Sequence, residues 1–118
     1  MLVEDDPSTR ALIRTWLDSE GYGVQTASNG REALTLLQEE TPCVMVVDLN
    51  MPVMDGAELR RMQLGMPSLS SIPFILVSAA DNAARIAREL GIDEVISKPF
   101  DIDLLLGIVA TYCEGSRS

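Results

Sequence analysis

The chain has 118 residues, 47% of them hydrophobic, with 9 basic against 18 acidic side chains, a net charge of −9 and no histidine. That is enough for one domain around one core, and too apolar for a disordered chain. The acidity argues against direct nucleic-acid binding, the missing histidine removes imidazole acid–base catalysis and the common zinc sites, and no apolar stretch approaches a bilayer span.

Leu2–Glu4 reads as a first strand, closed by Glu4-Asp5-Asp6. It is short for a central strand, which suggests that the natural domain begins earlier. Asp6 before Pro7 is an N-cap followed by proline at the first helical position. Leu12, Ile13, Trp16 and Leu17 then give one helix face over 7–20, stopped by Gly21 and Gly23. Val24–Ala27 is the second strand, Asn29-Gly30 a turn, and Ala33, Leu34 and Leu37 the stripe of a helix over 31–40. Val44–Asp48 is the third strand. Its unbroken run Cys43-Val44-Met45-Val46-Val47 has the character of a strand covered on both faces in a parallel sheet. A helix over 56–64, a strand at Phe74–Ser78, a helix over 82–90 ended by Gly91, a strand at Glu94–Ser97 and an apolar helix over 101–113 complete the alternation.

This pattern predicts an α/β domain of five βα units: a doubly wound, flavodoxin-like parallel sheet of five strands in the order 2-1-3-4-5. Residues 1–113 form the domain and 114–118 a tail or linker stub. Cys43 and Cys113 have a spacing that suggests neither a disulfide framework nor a zinc site. They are expected to be buried small hydrophobes in a reducing, cytoplasmic protein.

The predicted order sets the first and third strands side by side at the switch point, so Glu4, Asp5 and Asp48 become neighbours at the carboxyl edge, where such sheets keep their chemistry. Three carboxylates there repel, by on the order of 4 kcal/mol for a like pair at about 4 Å and an effective dielectric near 20. A cation or partial protonation must relieve them. Oxygen-only ligands suit Mg²⁺, with Mn²⁺ as a substitute. Lys98, before Pro99 at the end of the fifth strand, supplies a point charge for a phosphate. Asp6 is assigned to capping and left out of the site. Ser78 serves equally well as a helix cap or as a hydroxyl to a phosphate oxygen.

These pieces resemble a response-regulator receiver domain of the CheY-like type. The resemblance runs from Val3-Glu4-Asp5-Asp6 through Asp48-Leu49-Asn50-Met51-Pro52-Val53-Met54-Asp55-Gly56 and Val77-Ser78-Ala79 to Lys98-Pro99-Phe100. It implies that Asp48 accepts a phosphoryl group from a histidine kinase or phosphotransfer protein. It implies Mg²⁺ on Asp5, Asp48 and the Asn50 main-chain carbonyl, with Glu4 acting mainly through a metal-bound water. Ser78 and Lys98 would contact the phosphoryl oxygens, and Lys98-Pro99 would be a cis peptide.

Phosphorylation would bias a surface formed by the fourth helix, fifth strand and fifth helix, used for an output, a partner or a homodimer. The first helix, near Arg10 and Arg14, would face the kinase. The protein would be a signalling phosphoacceptor rather than a turnover enzyme. One departure is Val95, where the family usually carries a switch aromatic. It leaves open a scaffold that keeps the fold without switching. An aspartate-nucleophile phosphatase is the third reading, but such enzymes place a second Asp where this chain has Asn50.

Overall fold

The computed structural model describes residues 1–99 and 101–115. The elements follow in the order β1 (Leu2–Val3), α1 (Pro7–Ser19), β2 (Thr26–Ala27), α2 (Gly30–Glu39), β3 (Met45–Asp48), α3 (Gly56–Leu64), β4 (Phe74–Ser78), α4 (Ala83–Leu90), β5 (Glu94–Ser97) and α5 (Ile102–Gly115). All pairings are parallel and the sheet order is β2-β1-β3-β4-β5, as expected. The second strand is shorter than its apolar run: Val24 and Gln25 precede it. The fifth helix continues through Glu114 and Gly115, past the end of its apolar stripe. Residues 116–118 of the expected tail, and Phe100, lie outside the described residues.

Strand alternation divides the core into two layers. Val3, Met45, Val47, Phe74 and Leu76 pack under α2, α3 and α4 with Ala33, Leu37 and Leu59. Leu2, Val44, Val46, Ile75, Val77 and Ile96 pack under α1 and α5 with Ile13, Leu17, Leu105 and Val109. β3 and β4 are central and covered on both sides, which is why their sequences read as continuous apolar runs. Of the crowded leucines of α5, Leu105 is buried, Leu106 half-buried, and Leu104 left 53% exposed.

The helix starts are fixed as their sequences indicate. The Asp6 carboxylate accepts from the Thr9 N–H at 2.9 Å, with Pro7 opening α1. Asn29 accepts from the Glu32 N–H at 2.9 Å and Asp55 from the Glu58 N–H at 2.8 Å. Gly91 closes α4 at φ 60°, the left-handed value that favours glycine.

The expectation for the cysteines is overturned: Cys43 and Cys113 form a disulfide. α5 follows a parallel strand and returns antiparallel to it, so its last turn reaches the amino edge of the sheet. There it meets the residue that introduces β3, with a Cα–Cα distance of 5.2 Å, well inside the range a disulfide spans. A separation of 70 residues gives no local sign of such a pairing.

Candidate functional site

Four strands deliver the site. β1 and β3 pair with Val3 opposite Val47, so the residues that follow, Glu4 and Asp48, emerge together at the carboxyl edge. The Glu4 N–H still donates to the Ala27 carbonyl at 3.0 Å, which holds the acid loop in line with the sheet. Arg10, one turn into α1, donates to the Glu4 carbonyl at 2.9 Å. That bond ties the acid loop to α1. On the other side, the Lys98 N–H donates to the Ser78 carbonyl at 2.9 Å, and the Lys98–Pro99 peptide is cis.

The side chains converge. Lys98 Nζ lies 3.0 Å from Glu4 Oε1 and 3.4 Å from Asp48 Oδ1. One oxygen from each of Glu4, Asp5 and Asp48 falls within 4.8 Å of the others. Glu4 is buried, Asp48 half-buried and Asp5 exposed, so the cluster opens outward through Asp5 and Asp48. Burial, reinforced by the neighbouring Asp48 carboxylate, pushes the Glu4 carboxyl up to about 7 against the pull of Lys98. Burial alone would lower the Lys98 ammonium, but the Glu4 and Asp48 carboxylates outweigh it and hold it above its ordinary value.

Glu4 Oε2 is the only buried side-chain oxygen or nitrogen among the described residues without a hydrogen-bond partner. One ammonium cannot compensate three carboxylates. An all-oxygen cluster with an orphaned buried oxygen fits a hard divalent cation, and the chemistry of the donors fits Mg²⁺.

Ser78 is buried at the end of β4, and its hydroxyl oxygen accepts from the Ala80 N–H at 2.9 Å. That bond orients the hydroxyl and leaves its proton available to an acceptor. Asn50 is exposed in the loop two residues past Asp48. Val95 packs with the layer beneath α2, α3 and α4.

Two features of this loop have weak sequence signals. A Cβ on Gly56 would stand 2.6 Å from the Asp48 carbonyl oxygen, so the start of α3 can lie against the Asp48 backbone only with glycine there. Val53 has φ 67° and is 71% exposed. It is the centre of a three-residue turn closed by the Met54 N–H on the Pro52 carbonyl at 2.7 Å. Such a turn is strained for a β-branched residue.

Compared with known proteins, the sequence profile of the response regulator receiver domain family matches residues 1–110. The uncharacterized 14.6 kDa protein in the sodA1 3' region of Leptolyngbya boryana is 37% identical over 115 residues, which are 96% of this chain and 88% of that protein. The sensor histidine kinase RcsC of Salmonella typhimurium is 36% identical over 121 residues, covering 99% of this chain but only 12% of the kinase. Among solved structures, the receiver domain of the sensor histidine kinase PA1611 from Pseudomonas aeruginosa superposes with a TM-score of 0.86 at 25% identity, over 94% of this chain and 93% of that one. That domain holds a magnesium ion in its active-site cleft.

Proposed function

Because the chain belongs to the response regulator receiver domain family, we propose that Asp48 is its phosphoacceptor and that Glu4, Asp5, Asp48 and the Asn50 carbonyl hold Mg²⁺. The observation that carries this reading is the convergence of Glu4, Asp48 and Lys98 on one edge, with Lys98 Nζ at 3.0 and 3.4 Å from the two acids. One carboxylate oxygen of Asp48 forms a bond to phosphorus as the P–N bond of a phosphohistidine breaks, giving an acyl phosphate. Transfer of this kind needs little beyond positioning and charge neutralisation. Lys98 offsets charge from the side of β5, and the Ser78 hydroxyl donates to a phosphoryl oxygen. A bound Mg²⁺ would neutralise the remaining charge between the carboxylates and the phosphoryl oxygens. With Asn50 where a phosphatase would carry an acid, the domain is a phosphoacceptor and not a turnover enzyme.

The donor is a histidine kinase or a phosphotransfer protein. The response travels through the Ser78 loop to the face formed by α4, β5 and α5, where a partner, an output module or a second copy would bind. The proposed site of action is the cytoplasm, where such a donor would meet it; no helix among the described residues is long and apolar enough to cross a membrane. The chain spans a small part of the multidomain kinase it resembles, so the output of the whole protein is assigned no further.

Mg²⁺-dependent labelling with acetyl phosphate or a phosphorylated donor tests the reading. Wild type takes up one acid-stable, base-labile phosphoryl group, and Asp48→Asn takes up none. Equal labelling of the two would remove Asp48 from the role. Val95, packed away with the α4-side layer, favours the second reading, a domain that does not switch. Beryllofluoride with Mg²⁺ separates the two: amide shifts spreading to α4 and α5 belong to a switch, shifts confined to the pocket to a scaffold.

A further inference from the structure

β3 carries chemistry at both ends. Asp48 closes it at the carboxyl edge, and Cys43 precedes it at the amino edge, about 16 Å away along an extended strand. The two residues of the Cys43–Cys113 bond are unequally placed: Cys43 is exposed, whereas Cys113, on the inner face of α5, is 3% exposed. Both residues line an open cavity of about 290 Å³, walled also by Tyr22, Val24, Thr41 and Val109. The cavity and the exposed Cys43 give a small thiol an approach to the bond from solvent. What the bond holds is also specific. Cys113 is in the last turn of α5, where Val109, Ile108 and Tyr112 also pack toward the sheet and Tyr112 Oη donates a long 3.4 Å hydrogen bond to Glu94.

We propose that Cys43–Cys113 is a thiol–disulfide exchange site, and that its redox state sets how firmly the C-terminal half of α5 is held to the sheet. The attacking thiolate comes from a small thiol reductant and strikes the Sγ of Cys43, the exposed residue of the pair. The sulfur–sulfur bond breaks, and its electron pair leaves on Cys113 Sγ, which takes a proton from solvent. A mixed disulfide remains on Cys43. A second thiolate attacks the reductant's sulfur in that intermediate and releases Cys43 as a thiolate, which is protonated in turn. Two thiols have become one disulfide, and two electrons have passed to the protein. The site is independent of the phosphoacceptor reading, since it shares no side chain with the acidic pocket.

The test equilibrates the whole chain in glutathione buffers of graded reduced-to-oxidised ratio, followed by acid quench, alkylation and mass measurement. Hydrogen exchange is recorded on the oxidised and reduced forms and on Cys43→Ser/Cys113→Ala. The expected result is a reversible two-thiol transition in the native domain, with any glutathione adduct mapping to Cys43. Residues 105–113 exchange at least tenfold faster in the reduced form while β3 and β4 keep their protection. The double variant, in either buffer, matches the reduced form. Two free thiols in the most oxidising buffer would overturn the proposal. So would a bond that opens only on denaturation, equal protection of α5 in both forms, or loss of protection throughout the domain on reduction, which would make the bond a general staple. Asp48 labelling of the double variant reads the phosphoacceptor role separately.

Discussion

Among the described residues two groups of polar side chains are buried, and they are treated in opposite ways. Beneath α3, the Arg60 guanidinium donates to the Leu90 carbonyl at 3.1 Å, the Gly91 carbonyl at 2.7 Å and Gln63 Oε1 at 2.9 Å. Gln63 Nε2 donates to the Leu69 and Ile72 carbonyls, both at 2.9 Å, and Arg60 also stacks over the Phe74 ring. Every strong donor there has an acceptor, so the cluster is a fastener: it ties α3 to the end of α4 and to the segment before β4. At the strand ends, Glu4 is equally buried but keeps an oxygen without a partner beside two more acids. A completed network costs little and stays fixed, whereas an incomplete one is held open for something that arrives.

That contrast can be broken most severely at Arg60. Arg60→Ala strands two main-chain carbonyls and the Gln63 amide, and should lower unfolding free energy by about 3 kcal/mol in urea titration. Mg²⁺ affinity of the folded fraction should not move. A large fall in affinity would show that the fastener and the pocket are one unit.

Gly56→Ala comes next. Its Cβ must push the Asp48 carbonyl from 2.6 Å, and relief by a backbone shift should cost about 2 kcal/mol and reduce Mg²⁺-dependent labelling at least tenfold. Labelling at the wild-type rate would mean that Asp48 tolerates displacement.

The pH dependence is a smaller effect. The Glu4 carboxyl is raised to about 7 in the folded protein from an ordinary 4.5, so the fold binds the proton more tightly than the unfolded chain does. Through this group the metal-free domain loses stability as pH rises from the lower value to the higher, a slope that Glu4→Gln should remove when the two proteins are titrated in parallel. A cation displaces the same proton. Mg²⁺ should therefore bind about tenfold more tightly at pH 8 than at pH 6, measured by calorimetry.

The least effect is expected at Val53. Val53→Gly removes the strain at φ 67° but loosens the unfolded chain, so the net change should stay within about 1 kcal/mol. A larger gain would mark the loop as a store of strain beside the phosphoacceptor.

Much of the acidic edge was legible because it depends on local signals that add up. Apolar runs set the strands, their spacing sets the order, and the order alone carries Glu4 to Asp48. Asp6 as a cap likewise follows from its neighbours Pro7 and Thr9. The fastener was not legible. In α3, Arg60 and Gln63 are buried while Met62 and Leu64 are each 44% exposed, the reverse of what hydropathy suggests. The reason is a need for donors, set by the carbonyls of Leu69, Ile72, Leu90 and Gly91, that only the folded chain presents. The cysteine pairing was missed for the same kind of reason: it depends on where α5 ends in space, which no local pattern reports. Gly56 stood inside the motif, but that it must lie against the Asp48 backbone needed coordinates.

Since every strand points the same way, the connecting segments sort into two populations. Those leaving the strands carry all the oxygen ligands and the lysine. Those entering them, including Gly21–Gln25 and Thr41–Pro42, carry none; at Gly23 even an added Cβ would meet nothing within 4 Å, whereas Gly21, at φ 89°, keeps its need for glycine. Changes of length or charge on the entering side therefore leave the acidic pocket untouched and bear instead on the Cys43–Cys113 bond that the same side carries.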